Sequence, residues 1–254
     1  MAQIWGCSMD LDKTDKTTLA GLYFAKFDKQ ALTALGFSGI GQACNAIGYS
    51  LGSGPASIKN YRDEFDRLFP DNPRKGWQRK LKTRSERLFN EFNSLDFEAF
   101  TDLIKSFLFP HYDEEKAVAA IIKPDRTESV AKRLITGKAA EEYFKTIYTS
   151  INEFYGYELK DTTNLACGFD FKLSRSADFY CIEVKGLNLN TGNIVMTEKE
   201  YTVASDLRER YCLFLVKNFI KKPAHKYVFN PLNSGLSFKK IERTVMQTSY
   251  SISF

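Results

Sequence analysis

The sequence predicts an α/β chain of the α+β kind, with an all-helical first half and a second half in which helices and strands mix. Three observations predict it. Apolar residues recur at helical spacing through most of residues 17–109. Short runs rich in aromatic and β-branched residues gather after residue 168, bounded by turn residues. Between these halves, residues 110–128 (PHYDEEKAVAAIIKPDRTE) are polar and Pro-containing. That places a boundary there and gives two units, 1–115 and 126–254.

Composition narrows the class. The chain has 254 residues, 43% hydrophobic and 26% charged, enough apolar material for a sizeable core. That excludes a disordered tail, a collagen or a small disulfide scaffold. No run of about 18 apolar residues suggests a membrane span. The first residues, MAQIWGCSMDLDKTDK, lack a basic stretch followed by an apolar one, so no secretory leader is read. Five scattered cysteines without a CxxC pair point to reduced thiols and a cytoplasmic protein. Only His111 and His225 are present, too few for a His-based metal cage.

In the first half, residues 17–35 place Leu19, Leu22, Tyr23, Ala31 and Leu35 at helical spacing, and Gly36 and Gly39 end the run. Residues 40–51 read as a second helix ending at Gly52-Ser53-Gly54. Residues 55–69 open with Pro at a first turn and carry Ile58, Tyr61, Phe65 and Leu68 on one side. A helix, a Gly turn and a helix over 40–69, with Lys59, Asn60 and Arg62 outward, resemble a helix-turn-helix whose second helix touches DNA. A small helical bundle with a Gly corner has the same pattern. Net charge is +5, and all of the excess falls in residues 126–254. Residues 71–87 nonetheless hold seven basic and two acidic side chains. Arg74, Lys75, Arg79, Lys80, Lys82 and Arg84 are the expected contacts to the phosphates of double-stranded DNA. A solvated loop and helix face has the same composition. Trp77 either stacks on a base or packs. Residues 84–109 read as one helix with a core stripe of Phe89, Phe92, Phe97, Phe100 and Phe107. His111, beside Asp113, Glu114 and Glu115, reads as part of a charged loop.

The second half opens with a helix over 129–154, followed by a turn at Tyr155-Gly156-Tyr157. Strands follow at 169–173 and 178–186, joined by a turn at 174–177. A short helix at 197–209, a strongly apolar strand at 210–218 and an edge strand at 225–230 complete it.

The residues that carry chemistry are Gly168-Phe169-Asp170 and, after twelve residues, Glu183-Val184-Lys185. Alternation along a strand points Glu183 and Lys185 one way and Val184 the other. If the two strands pair, Asp170 joins them at one sheet edge. Two hard carboxylates suit Mg²⁺, which polarises a phosphate and acidifies bound water. A lysine beside them orients or deprotonates that water and offsets transition-state charge. A Glu and a Lys two apart on an exposed strand face have the same spacing without any such role.

With these residues in place, residues 130–220 resemble the PD-(D/E)xK nuclease superfamily, and within it the Mrr-like restriction endonuclease domains. Gly137-Lys138-Ala139-Ala140-Glu141, Gly168-Phe169-Asp170-Phe171, Ile182-Glu183-Val184-Lys185-Gly186, Thr197-Glu198-Lys199-Glu200-Tyr201 and Tyr211-Cys212-Leu213-Phe214-Leu215-Val216 carry the resemblance. It implies a restriction endonuclease-like α-β-β-β-α-β core, with a mixed central sheet flanked by helices. It also implies Mg²⁺-dependent cleavage of DNA, with Mn²⁺ able to substitute. Asp170 and Glu183 become metal ligands, Lys185 the catalytic lysine, and Glu141 the upstream acidic residue, with Glu142 the alternative. Phe169 stands where the superfamily has Pro. The third strand is expected after Lys185, at 193–196. Cutting two strands with one site per chain implies a homodimer, and the setting implied is a bacterial or archaeal cytoplasm. The alternatives are a DNA-binding or regulatory protein with an inactive nuclease-like fold, and a nuclease for modified or branched nucleic acid.

Overall fold

A computed structural model describes residues 11–72, 74–108 and 130–242. The boundary expected at 110–128, and His111 within it, lie outside the described residues. Helix α1 spans Lys13–Ala34, started by the Asp12 carboxylate, which accepts the Asp15 N–H at 2.7 Å. The backbone kinks at Asp28 (φ 40°, ψ −113°). Helices α2 (Ile40–Ser50) and α3 (Pro55–Phe65) follow as a pair, with Pro55 in the first turn of α3. The expected single helix over 84–109 is two, α4 (Thr83–Phe92) and α5 (Phe97–Leu108). The break has its own partners. Lys26 Nζ donates to the Asn93 and Leu95 carbonyls at 2.5 and 2.7 Å, satisfying groups a helix end leaves open. The Asp96 carboxylate then accepts the Ala99 N–H at 2.8 Å and starts α5. Phe92 and Phe100 are buried, with Phe89, Phe97 and Phe107 packed around them, so the Phe stripe is core.

Helix α6 (Val130–Ile147) leads through two short 3₁₀ turns to strands β1 (Glu158–Asp161), β2 (Phe171–Arg175) and β3 (Asp178–Gly186). Helix α7 (Glu198–Leu207), β4 (Tyr211–Lys217) and β5 (Ala224–Phe229) complete the order. From α6 to β4 the succession is α-β-β-β-α-β. The third strand is β1, upstream of the pair, and not at 193–196, which is not a strand. The five strands form one mixed sheet in sequence order, antiparallel except where β3 and β4 run parallel across α7.

Alternation sorts the two faces. Phe171, Leu173, Ile182, Val184, Cys212, Phe214 and Val216 face α6 and pack on Ala139, Ala140 and Phe144. Cys181 and Tyr211 face α7 and pack on Ala204. Phe144 is fully buried, with its ring 4.8 Å from Phe214 and 5.3 Å from Phe171; deleting such a ring costs about 3–5 kcal/mol. The helical half meets α6 through α2. Tyr49 packs edge-on against Tyr143 and Phe219, and Asn45 Nδ2 donates to the carbonyls of Phe219 (2.6 Å) and Lys221 (3.0 Å).

Candidate active site

Strand β3 carries Glu183 and Lys185 on the α7 side of the sheet, with Val184 in the opposite core. Asp170 immediately precedes β2. Its N–H donates to the Ile182 carbonyl at 2.9 Å, and its Oδ2 accepts the Val184 N–H at 2.9 Å. One aspartate is thus fixed to β3 by both backbone and side chain. Asp170 and Glu183 are each only 2% exposed. Lys185 Nζ lies 2.7 Å from Glu183 Oε1. The expected convergence of Asp170, Glu183 and Lys185 is present.

A fourth member joins them. Glu200, 5% exposed on α7, places Oε2 2.6 Å from Lys185 Nζ. Its backbone N–H donates to Thr197 Oγ1, and its carboxylate accepts the Thr197 N–H at 3.0 Å, forming a capping box. In the sequence the only signal was Thr-x-x-Glu, which reads as a helix start. Nothing local couples it to Lys185, fifteen positions earlier.

Two glycines allow these elements to close. Gly168 has φ +90°, and a Cβ there would lie 2.8 Å from Val203 Cγ2 and 3.2 Å from the Lys199 carbonyl. Glycine therefore lets the Asp170 turn touch α7. A Cβ on Gly186 would meet the Thr136 carbonyl at 2.5 Å, so α6 crosses directly beside Lys185.

A pocket opens over the cluster, lined by Asp170, Glu183 and Glu200 with Thr163, Cys167, Gly168 and Lys199 among its other walls. Burial alone would lower the Lys185 pKa; the charges of Glu183, Glu200 and Asp170 outweigh it and hold it above the usual lysine value. Beneath, Tyr211 donates its hydroxyl to the Gly168 carbonyl at 3.1 Å. Burial, then the same three carboxylates, raises its pKa and keeps the phenol neutral. Burial also pushes the Cys181 thiol up to about 11, so it is no nucleophile at neutral pH.

Glu141 is buried on α6, with Oε2 3.2 Å from Lys138 Nζ, and is not among the pocket's lining residues. Glu142 meets both Lys145 at 2.8 Å and Lys138 at 3.5 Å. His225 stacks on Phe214, on the face away from the pocket.

The expected DNA contacts divide. Lys59 and Asn60 are exposed on α3. Arg62 is not outward: it is 7% exposed and donates to Asp63 Oδ1 at 2.8 Å. Position 62 falls on the face of α3 that packs against the other helices. Arg74 is held internally too, donating to both oxygens of the buried Asp66 (2.9 and 3.0 Å) and to Asp28. Arg84 bonds Asp12 and Asp15 at the start of α1. Lys75, Arg79, Lys80 and Lys82 are exposed. Trp77 is half-buried with the Arg79 guanidinium 3.9 Å over its ring, which is packing rather than a bare platform.

The geometry defines a buried carboxylate–lysine centre on a mixed sheet. Residues 140–228 match the family described as Protein NO VEIN, C-terminal, a domain associated with nuclease-like proteins of the PD-(D/E)xK type. The match contains Glu141, Asp170, Glu183, Lys185 and Glu200 and leaves the N-terminal helices outside it. No curated protein and no solved structure matches the chain. No described helix is long and apolar enough to cross a membrane.

Proposed function

We propose that the chain is a Mg²⁺-dependent endonuclease of restriction type, related to the Mrr-like domains, that hydrolyses phosphodiester bonds in double-stranded DNA as a cytoplasmic homodimer. The observation that carries this reading is the gathering of Asp170, Glu183 and Glu200 with Lys185 at one pocket. Lys185 Nζ contacts the buried carboxylates of Glu183 and Glu200, and the buried Asp170 lines the same pocket as both. These carboxylate oxygens, gathered at the foot of a pocket, are hard ligands of the kind a divalent cation takes.

A divalent cation fits that oxygen set. Among the described residues no group of three or more His, Cys, Asp and Glu is placed to hold a metal ion by itself. Two carboxylates completed by water and substrate phosphate is the usual way Mg²⁺ is held. Asp170 and Glu183 would supply the oxygens, and Mn²⁺, equally content with oxygen ligands, would substitute. Bound there, the metal supplies Lewis acidity and an acidified water. The chain's own residues do the rest. Lys185 presents a fixed positive charge where negative charge builds on the phosphate. The Val184 N–H holds the Asp170 carboxylate in place, and the Gly168 turn keeps α7 close enough to wall the pocket. Lys59, Asn60, Lys75, Arg79, Lys80 and Lys82 remain available to grip the DNA backbone.

The test is incubation of the purified chain with methylated and unmethylated plasmid and phage DNA, with Mg²⁺ or EDTA, beside Lys185→Ala. Fragments that require Mg²⁺ and vanish in the variant support the reading. Retained DNA binding without cleavage by either protein moves it to an inactive nuclease-like fold. Cleavage confined to modified or branched substrates moves it to a different nucleic acid.

A further inference from the structure

We propose that Glu200 is a positioning residue that tethers the Lys185 ammonium from the helix opposite the active-site strand. The inference rests on the nuclease reading for its catalytic consequence and on geometry alone for the tether.

Lysine has a long flexible stem, and holding its head in one place costs rotamer freedom. Lys185 has two anchors. One, Glu183 at 2.7 Å, is its neighbour on β3 and a candidate metal ligand. An oxygen engaged by a divalent cation holds an ammonium less well. The other anchor has no such conflict. Glu200 Oε2 sits 2.6 Å from Nζ, and the same oxygen accepts the Thr197 N–H. Its main-chain N–H is held in turn by Thr197 Oγ1 at 3.2 Å. The carboxylate is thus fixed by the helix it begins, and the lysine is fixed by the carboxylate.

Placement of that helix follows from the other half of the site. Gly168 lies against Lys199 and Val203, the residues flanking Glu200 on α7. The turn that presents Asp170 therefore also sets the distance from which Glu200 reaches Lys185. Glu200 acts through Lys185, which makes it a positioning residue rather than a catalytic one.

Two readouts test this on the full chain, with Glu200→Ala, Glu200→Gln, Lys185→Ala and Ala204→Gly. Ala204 is buried in α7 away from the pocket lining, so its glycine variant loosens the helix without touching the lysine. The first readout is the ¹H–¹⁵N signal of the Lys185 ammonium, assigned by its loss in Lys185→Ala. A tethered ammonium exchanges slowly enough to be seen. The signal should persist in wild type and Ala204→Gly, without and with Mg²⁺, and be lost in Glu200→Ala. The second is cleavage kinetics. Glu200→Ala should lower kcat about 100-fold with KM little changed, as misplacement of a reacting group by about 1 Å does. Glu200→Gln, which keeps an acceptor, should recover part of the loss. An ammonium signal that survives Glu200→Ala overturns the tether. So does an Ala204→Gly variant that loses as much kcat as Glu200→Ala, because the role would then be helix stability. If wild type cuts no nucleic acid the nuclease reading falls, and the ammonium signal still decides the tether.

Discussion

Two clusters of buried charge occupy the two halves of this chain, and they are built differently. Near the end of α3 in the helical half, carboxylates meet guanidinium groups: Asp63 with Arg62, Asp66 with the fork of Arg74, and Asp28 with the same Arg74, while the buried Glu64 accepts the Lys82 N–H instead. Around Lys185 three carboxylates converge on one ammonium. The first arrangement closes on itself and, with the bonds of Asn72 to Ala25 and Trp77 to Asp63, ties the segment that carries Arg74 to α1 and α3. The second opens to a pocket that Asp170, Glu183 and Glu200 line. Buried ions closed on one another hold a fold together, whereas carboxylates that line a pocket can take up a ligand.

The sharpest way to break this contrast is Lys185→Ala. With the Lys185 ammonium removed, Mg²⁺-dependent cleavage should fall about 1,000-fold, read from plasmid digestion. The counterpart in the matched cluster is Arg74→Met, which strands Asp66 in the core. Urea unfolding should show a loss of about 3 kcal/mol, with DNA affinity unchanged while the variant is folded. A variant of wild-type stability that binds DNA more weakly would return Arg74 to the phosphate contacts. Metal addition comes next. Mg²⁺ at about 100 times its Kd stabilises the folded chain by about 2.7 kcal/mol, a rise in Tm of about 5 °C for a chain this long. Glu183→Gln should abolish that rise and Arg74→Met should leave it intact.

An ion pair outside both clusters sets the lower end of the scale. Asp161 is shifted from 3.8 to about 2: burial alone would raise it, but the Lys145 ammonium at 2.8 Å and the hydroxyl and N–H of Thr163 outweigh burial. A depressed carboxylate stabilises the fold above its unfolded pKa, and that contribution is lost as pH falls from about 4 through 2. Solvent screens this pair, so the loss should be under about 1 kcal/mol. Urea midpoints between pH 5 and 2 should fall slightly more steeply for wild type than for Asp161→Asn.

Periodicity made several elements legible. Strand β3 begins and ends where its aromatic and β-branched run does, at Asp178 and Gly186, and the Asp170–Glu183–Lys185 grouping follows from alternation. Strand β1 escaped because Glu-Leu-Lys-Asp is four residues of a mostly exposed edge, with a single apolar side chain to betray it. The split between α4 and α5 escaped because its cause, Lys26, is on another helix. Arg62, Arg74 and Arg84 have the composition of a DNA-binding surface, yet their partners lie on α1 and α3. A local charge count shows how many cations a segment carries and not which acids they meet. Glu200 is the same lesson inverted: its capping role is local and visible, while its contact with Lys185 exists only once β3 and α7 are side by side.

The seam between the halves bears on engineering. Asn45 holds two carbonyls of the turn after β4, and Tyr49 covers Phe219 in that same turn. A chimera that exchanged the helical half for another helical unit would uncover Phe219 and leave both carbonyls without their donor. Such a graft should transplant well only if the incoming unit carries an amide and an aromatic ring one helical turn apart on the face that meets α6. The two halves therefore constrain each other's evolution, and substitutions at positions 45 and 49 should track those at 143 and 219.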